Sequence, residues 1–96
     1  MIRNFRYQNI TYKKETEGNG LMVKGEITNN SGRSYNSVVF RLVLFIKSVP
    51  IGSAGITING FVSGQTRTFE KKVAELEYNH VIKDITNYDI YAESGY

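Results

Sequence analysis

The sequence predicts an all-β domain. Three observations carry that expectation. Apolar residues recur with a period of two, most clearly from Ser37 to Ile58. Clusters of Gly, Asn and Ser interrupt the chain at intervals of about 8–12 residues, the rhythm of a sandwich or barrel. No segment sustains the spacing of an amphipathic helix.

Phe5 to Lys14 is the first strand. Phe5 and Tyr7 share one face, whereas Ile10 and Tyr12 fall on the opposite parity, and a bulge near Gln8-Asn9 reconciles them. Glu15 to Gly20 is a turn, since its glycines and asparagine adopt positive φ cheaply. Leu21, Val23, Gly25 and Ile27 then alternate with Met22, Lys24, Glu26 and Thr28, which describes a strand with one wet face. Asn29 to Ser34 is a second turn cluster.

The central strand follows. Val38, Phe40, Leu42, Leu44 and Ile46 make one apolar face, and Val39, Arg41, Val43, Phe45 and Lys47 make a second that is mostly apolar. Such a strand belongs in the middle of a sheet with a layer packed on each side. Lys47 to Pro50 is expected to break the run, because proline cannot donate to a ladder. Gly52 to Ile58 resumes as a weaker strand. Phe61-Val62 tucks back onto the core, and Gln65 to Val73 is the next strand, with Phe69 and Val73 on its buried face. Ala74 to His80 is ambiguous: Glu75, Leu76 and Glu77 fit a helical turn, whereas Tyr78-Asn-His80 favours irregular structure or a short strand. Lys83 to Glu93 closes the fold with Tyr88, Ile90 and Ala92 inward, and Ser94 to Tyr96 is expected to fray. About seven antiparallel strands in an immunoglobulin-like β-sandwich fit this order best, with an OB-type barrel as the alternative.

The 96 residues make one domain, with 41% hydrophobic and 22% charged residues, an ordinary globular balance. The net charge of +3 is spread thinly, with short pairs at Lys13-Lys14 and Lys71-Lys72, and does not point to nucleic acid by itself. Cysteine is absent, so disulfides and thiolate metal sites are excluded. No apolar segment is long enough to span a bilayer as a helix, and Met1 to Arg6 has no signal-peptide core. The chain is therefore expected to be cytoplasmic, or one domain of a longer exported protein.

The order of short motifs resembles the FxLYD-type domains of bacteria and archaea. Val23-Lys-Gly25-Glu-Ile27-Thr-Asn29 is similar to that family's Gly-x-Ile/Val-x-Asn strand ending. Ser31 to Tyr35 supplies the small turn and aromatic, and Leu42-Val-Leu44-Phe45-Ile46 matches the strand that names the family. Ile51-Gly52, Gly64-Gln-Thr66-Arg-Thr-Phe69 and Tyr88-Asp-Ile90 complete the series, which runs from Leu21 to Ala92. Leu42 replaces the family's Phe and Ile46 its Asp, so the turn after that strand is expected to bulge over Lys47 to Pro50. The resemblance implies an immunoglobulin-like sandwich in exported or lipid-anchored proteins, with no catalytic residue and no cofactor. An extracytoplasmic, cell-envelope setting follows from it as an expectation.

No catalytic, cofactor-binding or metal-binding constellation stands out. His80 is the only histidine and has no recognisable partner. Glu75 and Glu77 share a strand face but read as solvated carboxylates, and Asp84 and Asp89 fall on opposite faces of one strand. Gly18-Asn-Gly20 lacks the context of a phosphate loop. Asn9-Ile-Thr11 and Asn29-Asn-Ser31 match the glycosylation pattern, which matters only in a secreted eukaryotic protein.

What remains is a surface. Tyr7, Tyr12, Tyr35, Phe45, Tyr91 and Tyr96 are candidates for outer or edge positions, and Val43 and Phe45 on the second face of the central strand need cover. Tyr12, Tyr35, Arg41, Val43, Phe45 and Tyr91 are the candidate interaction residues. The expected role is a non-enzymatic module for protein contact, adhesion or spacing, with an unidentified protein as partner. The alternatives are an OB-like binder of single-stranded nucleic acid, using aromatics beside Arg6, Lys24, Arg41 and Lys72, and a sandwich binding a small ligand or glycan.

Overall fold

A computed structural model of the chain describes residues 4–77 and 85–96. Among them six strands follow in order: β1 (Phe5–Lys14), β2 (Gly20–Asn29), β3 (Tyr35–Ile46), β4 (Val49–Phe61), β5 (Thr66–Glu77) and β6 (Asn87–Gly95). There is no helix among the described residues. The strands form two antiparallel three-stranded sheets, ordered β1-β2-β5 and β4-β3-β6. The expected count was about seven; the stretch after Val73 extends β5 to Glu77 instead of starting a further strand.

One apolar core lies between the sheets. Leu21, Val23 and Ile27 of β2 and Phe69 and Val73 of β5 meet Val38, Phe40, Leu42 and Leu44 of β3, with Ala54, Ile56 and Ile58 of β4 and Ile90 and Ala92 of β6. These are the alternate residues that the period-two pattern selects. Phe40 is the hub of an aromatic cluster, with Phe5 at 5.1 Å and Phe61 at 6.3 Å between ring centroids, both near edge-to-face. The two separate sheets differ from the single curled sheet of the OB alternative.

The bulge in β1 lies where the change of parity requires it. Pairing with β2 shifts register between Gln8 and Thr11, and Asn9 takes φ 56°. Asparagine tolerates that left-handed region better than most residues. Ile10 and Tyr12 thereby join Phe5 and Tyr7 against the core. Opposite them, Gly25 is a close-approach position. A Cβ there would press on Ile10 and come within 2.9 Å of the Phe69 ring.

Three expectations need correction. β3 is the middle strand of its sheet, but among the described residues no layer covers its second face, where Val39, Arg41, Val43 and Phe45 are half-buried by their own sheet neighbours. Pro50 does not interrupt the chain: β4 begins at Val49, and Pro50 pairs opposite Phe45. An edge strand accommodates a residue without an N–H. Lys47 and Ser48 alone make the turn, with Lys47 at φ 57°, and the irregularity falls beyond it, where Ile51 is left unpaired between Pro50 and Gly52. Finally, the chain end does not fray, since Ser94 and Gly95 belong to β6 and Tyr96 exchanges backbone hydrogen bonds with Ser37 at 3.1 and 3.3 Å.

Candidate functional site

The exposed face of the β4-β3-β6 sheet gathers four of the six candidate residues. Alternation on β3 sends Arg41, Val43 and Phe45 outward, because Phe40, Leu42 and Leu44 occupy the core. Register then supplies their neighbours. Arg41 lies between Gly55 and Tyr91, Val43 between Ser53 and Asp89, and Phe45 between Pro50 and Asn87. Arg41, Val43, Pro50, Gly52, Ser53 and Tyr91 line a shallow depression. Its β4 side is formed by the small residues Gly52 and Ser53 together with Pro50.

The electrostatics of this face are mixed. The Arg41 guanidinium donates to Glu93 at 3.3 Å, and both side chains stay about one-third exposed, so the pair is a weak surface ion pair. The guanidinium and the Tyr91 phenol thus share the depression with the apolar side chains of Val43 and Pro50.

The other two candidate residues are elsewhere. Tyr35 is only 9% exposed and belongs to the core, with Arg33 stacked over its ring at 5.2 Å. Tyr12 packs on the core side of β1, in the other sheet. Tyr7 is turned inward in the same way. Their chemistry follows from that placement. Burial, reinforced by the Asp89 carboxylate, pushes the Tyr7 phenol up to about 12. Burial and then Tyr88 raise Tyr12. Both phenols therefore keep their protons near neutral pH. An aromatic platform built from these tyrosines is therefore not present, although Tyr96 at the chain end is 72% exposed.

Sequence reasoning missed the contribution of β4 to this face, because Pro50 was read as a break. Pro50, Gly52 and Ser53 belong to the depression through the continuous β3–β4 ladder. It also missed Asn29, whose side chain is fully buried. The amide donates to the Arg33 carbonyl at 2.8 Å and the Phe61 carbonyl at 3.1 Å, while its oxygen accepts from the Ser31 N–H and hydroxyl at 3.1 and 2.6 Å. A glycan at Asn29 is excluded by that burial. Asn9, in the bulge, is exposed and donates to Glu26 at 2.7 Å.

Other polar clusters are neutralised internally. Glu15 pairs with Lys72 at 2.8 Å and Glu70 with Lys13 at 3.0 Å, beside a second shallow depression near the β1–β2 turn. No group of three or more His, Asp or Glu side chains is placed to hold a metal ion among the described residues. His80 and Asp84, and the side chains of Glu75 and Glu77, lie outside the described residues. No helix among the described residues is long and apolar enough to cross a membrane. No family model, curated protein or solved structure matches the chain.

Proposed function

We propose that the chain is a non-enzymatic, immunoglobulin-like sandwich module of the FxLYD type, working by protein contact in the cell envelope through the exposed face of its β4-β3-β6 sheet. One observation carries this reading: Val43 and Phe45, apolar residues on the middle strand, stand half-buried beside Arg41 and Tyr91 with nothing among the described residues packed over them. Apolar area at the centre of a sheet face with a polar rim is the anatomy of a binding patch. The strand order supports the fold assignment. In this reading β1, β2 and β5 would correspond to strands A, B and E, β3 and β6 to C and F, and β4 to C′, an assignment the two three-stranded antiparallel sheets are compatible with. The motif order from Val23 to Ile90 supports the family, and the family supports the envelope setting.

A photo-crosslinking residue placed at Val43 in native cells tests the contact. The expected result is one crosslinked protein that disappears in the Tyr91→Ala variant while thermal melting is unchanged. A chain that crosslinks to nothing refutes the reading, as does robust enzymatic turnover that one polar substitution abolishes.

A further inference from the structure

We propose that the outer edge of β4 is a self-association site, at which a second copy of this chain adds its own β4 antiparallel about Gly55.

The backbone geometry identifies the free groups. Ser37 and Tyr96 exchange both of their N–H···O bonds, so Ser37 directs its backbone groups toward β6. Asn59 sits opposite Ser37 on the other side and therefore turns its own N–H and C=O away from β3. The β3–β4 register is unbroken from Ser37 to Leu44, so Thr57, Gly55 and Ser53 do the same. Arg67 of β5 donates to the Asn59 carbonyl at 3.1 Å, which independently shows that this carbonyl faces outward. Among the described residues, no hydrogen bond reaches the outward groups of Thr57, Gly55 or Ser53.

Charge selects the occupant. Self-pairing of β1 brings together Arg6, Lys13 and Lys14, and self-pairing of β6 brings together Asp89 and Glu93. β5 carries Arg67, Glu70, Lys71 and Lys72. Charges of this kind on an edge are the usual guard against pairing. β4 has no charged residue from Val49 to Phe61. Among the described edge strands it is the one whose own side chains bring no like charge against a two-fold copy. Centred on Gly55, the pairing sets Ser53 of each copy against Thr57 of the other. Pro50, which has no N–H, bounds the usable edge at one end, and Arg67 bounds it at the other by occupying Asn59.

Gly55 also supplies the test. A Cβ built there meets nothing within 4 Å, so a side chain at this position does not disturb the monomer. Sedimentation equilibrium of the whole chain, from micromolar to about 1 mM, is expected to show a monomer–dimer equilibrium. Gly55→Lys sets two ammonium groups on the two-fold axis and is expected to weaken association at least about tenfold. Gly55→Thr, neutral and β-branched, is expected to preserve it. Hydrogen exchange at the Ser53, Gly55 and Thr57 amides is expected to slow with concentration, with no such change along β1. A chain that stays monomeric throughout, or a dimer that Gly55→Lys leaves unchanged, overturns the proposal. Either result leaves the Val43 crosslinking reading untouched, because that readout reports a different protein on a different surface.

Discussion

Replacing Asn29 by alanine is expected to cost about 2–4 kcal/mol: about 1 kcal/mol for each of the two bonds its amide donates and up to about 2 kcal/mol for stranding the Phe61 carbonyl, while the partly exposed Ser31 regains its bonds from water. Asn29 is fully buried and ties the turn that follows it to the end of β4 and to the turn before β5. Its amide serves the Arg33 carbonyl in the β2–β3 turn and the Phe61 carbonyl at the end of β4. Its backbone N–H donates to Gln65 and its carbonyl accepts from Gly64, at 2.9 and 2.8 Å, in the turn before β5. Alanine preserves those backbone bonds and removes the rest. For a domain of this size the loss corresponds to a fall of roughly 10–25 °C in Tm. With no tryptophan in the chain, urea unfolding followed by circular dichroism and tyrosine fluorescence is the appropriate assay. Asn30→Ala is the control, because that neighbouring residue is exposed, and it is expected to change stability by less than about 0.5 kcal/mol. Asn29→Asp keeps the shape but aims a carboxylate at two carbonyls. It is expected to be less stable than the parent at neutral pH in the same urea assay. An Asn29→Ala protein within about 0.5 kcal/mol of the parent would refute the assignment of this side chain as the latch between the turns.

Three further outcomes are expected. Gly25→Ala crowds Ile10 and the Phe69 ring and should lower the unfolding free energy by about 1–3 kcal/mol, measured by the same urea titration. Lys47→Gly relieves a positive φ at the β3–β4 turn and should raise the urea midpoint by roughly 0.5–1 kcal/mol equivalent without changing the slope; an unchanged midpoint contradicts strain at that position. Alkaline titration tests Tyr7. Its phenol ionises near 10 when unfolded and near 12 when folded, so its contribution is intact below pH 10 and is lost as pH climbs toward 12. Tyr7→Phe should flatten that part of the stability curve; an identical curve for variant and parent counts against a buried phenol.

Much of the fold was legible in the pattern of side chains, and the failures share a cause. The parity change between Tyr7 and Ile10 located the β1 bulge, because a strand cannot keep both residues on one face without an extra residue. The alternation from Val38 to Leu44 selected the core residues of β3 directly. The same alternation exposed Arg41, Val43 and Phe45, and that of β6 exposed Tyr91. Apolar residues on both faces, however, do not reveal whether a second layer exists, and here among the described residues it does not. Pro50 misled for a related reason: its effect depends on whether a strand is central or at an edge, which only the sheet order decides. Tyr35 and Tyr12 look like surface residues because tyrosine suits both settings, and only the packing of β1 over β3 turns them inward. The Arg41–Glu93 pair needed the β3–β6 register, which no local pattern contains.

The two neighbours of β3 reach it by very different routes. β4 follows directly through a tight turn, whereas β6 is the last strand of the chain. During synthesis from the N-terminus, the most oil-rich ribbon of the molecule must therefore wait with one flank bare until β6 emerges. That interval is the point at which nascent copies can capture one another's β6, so folding yield is expected to be more sensitive to crowding by siblings than the finished domain's stability suggests.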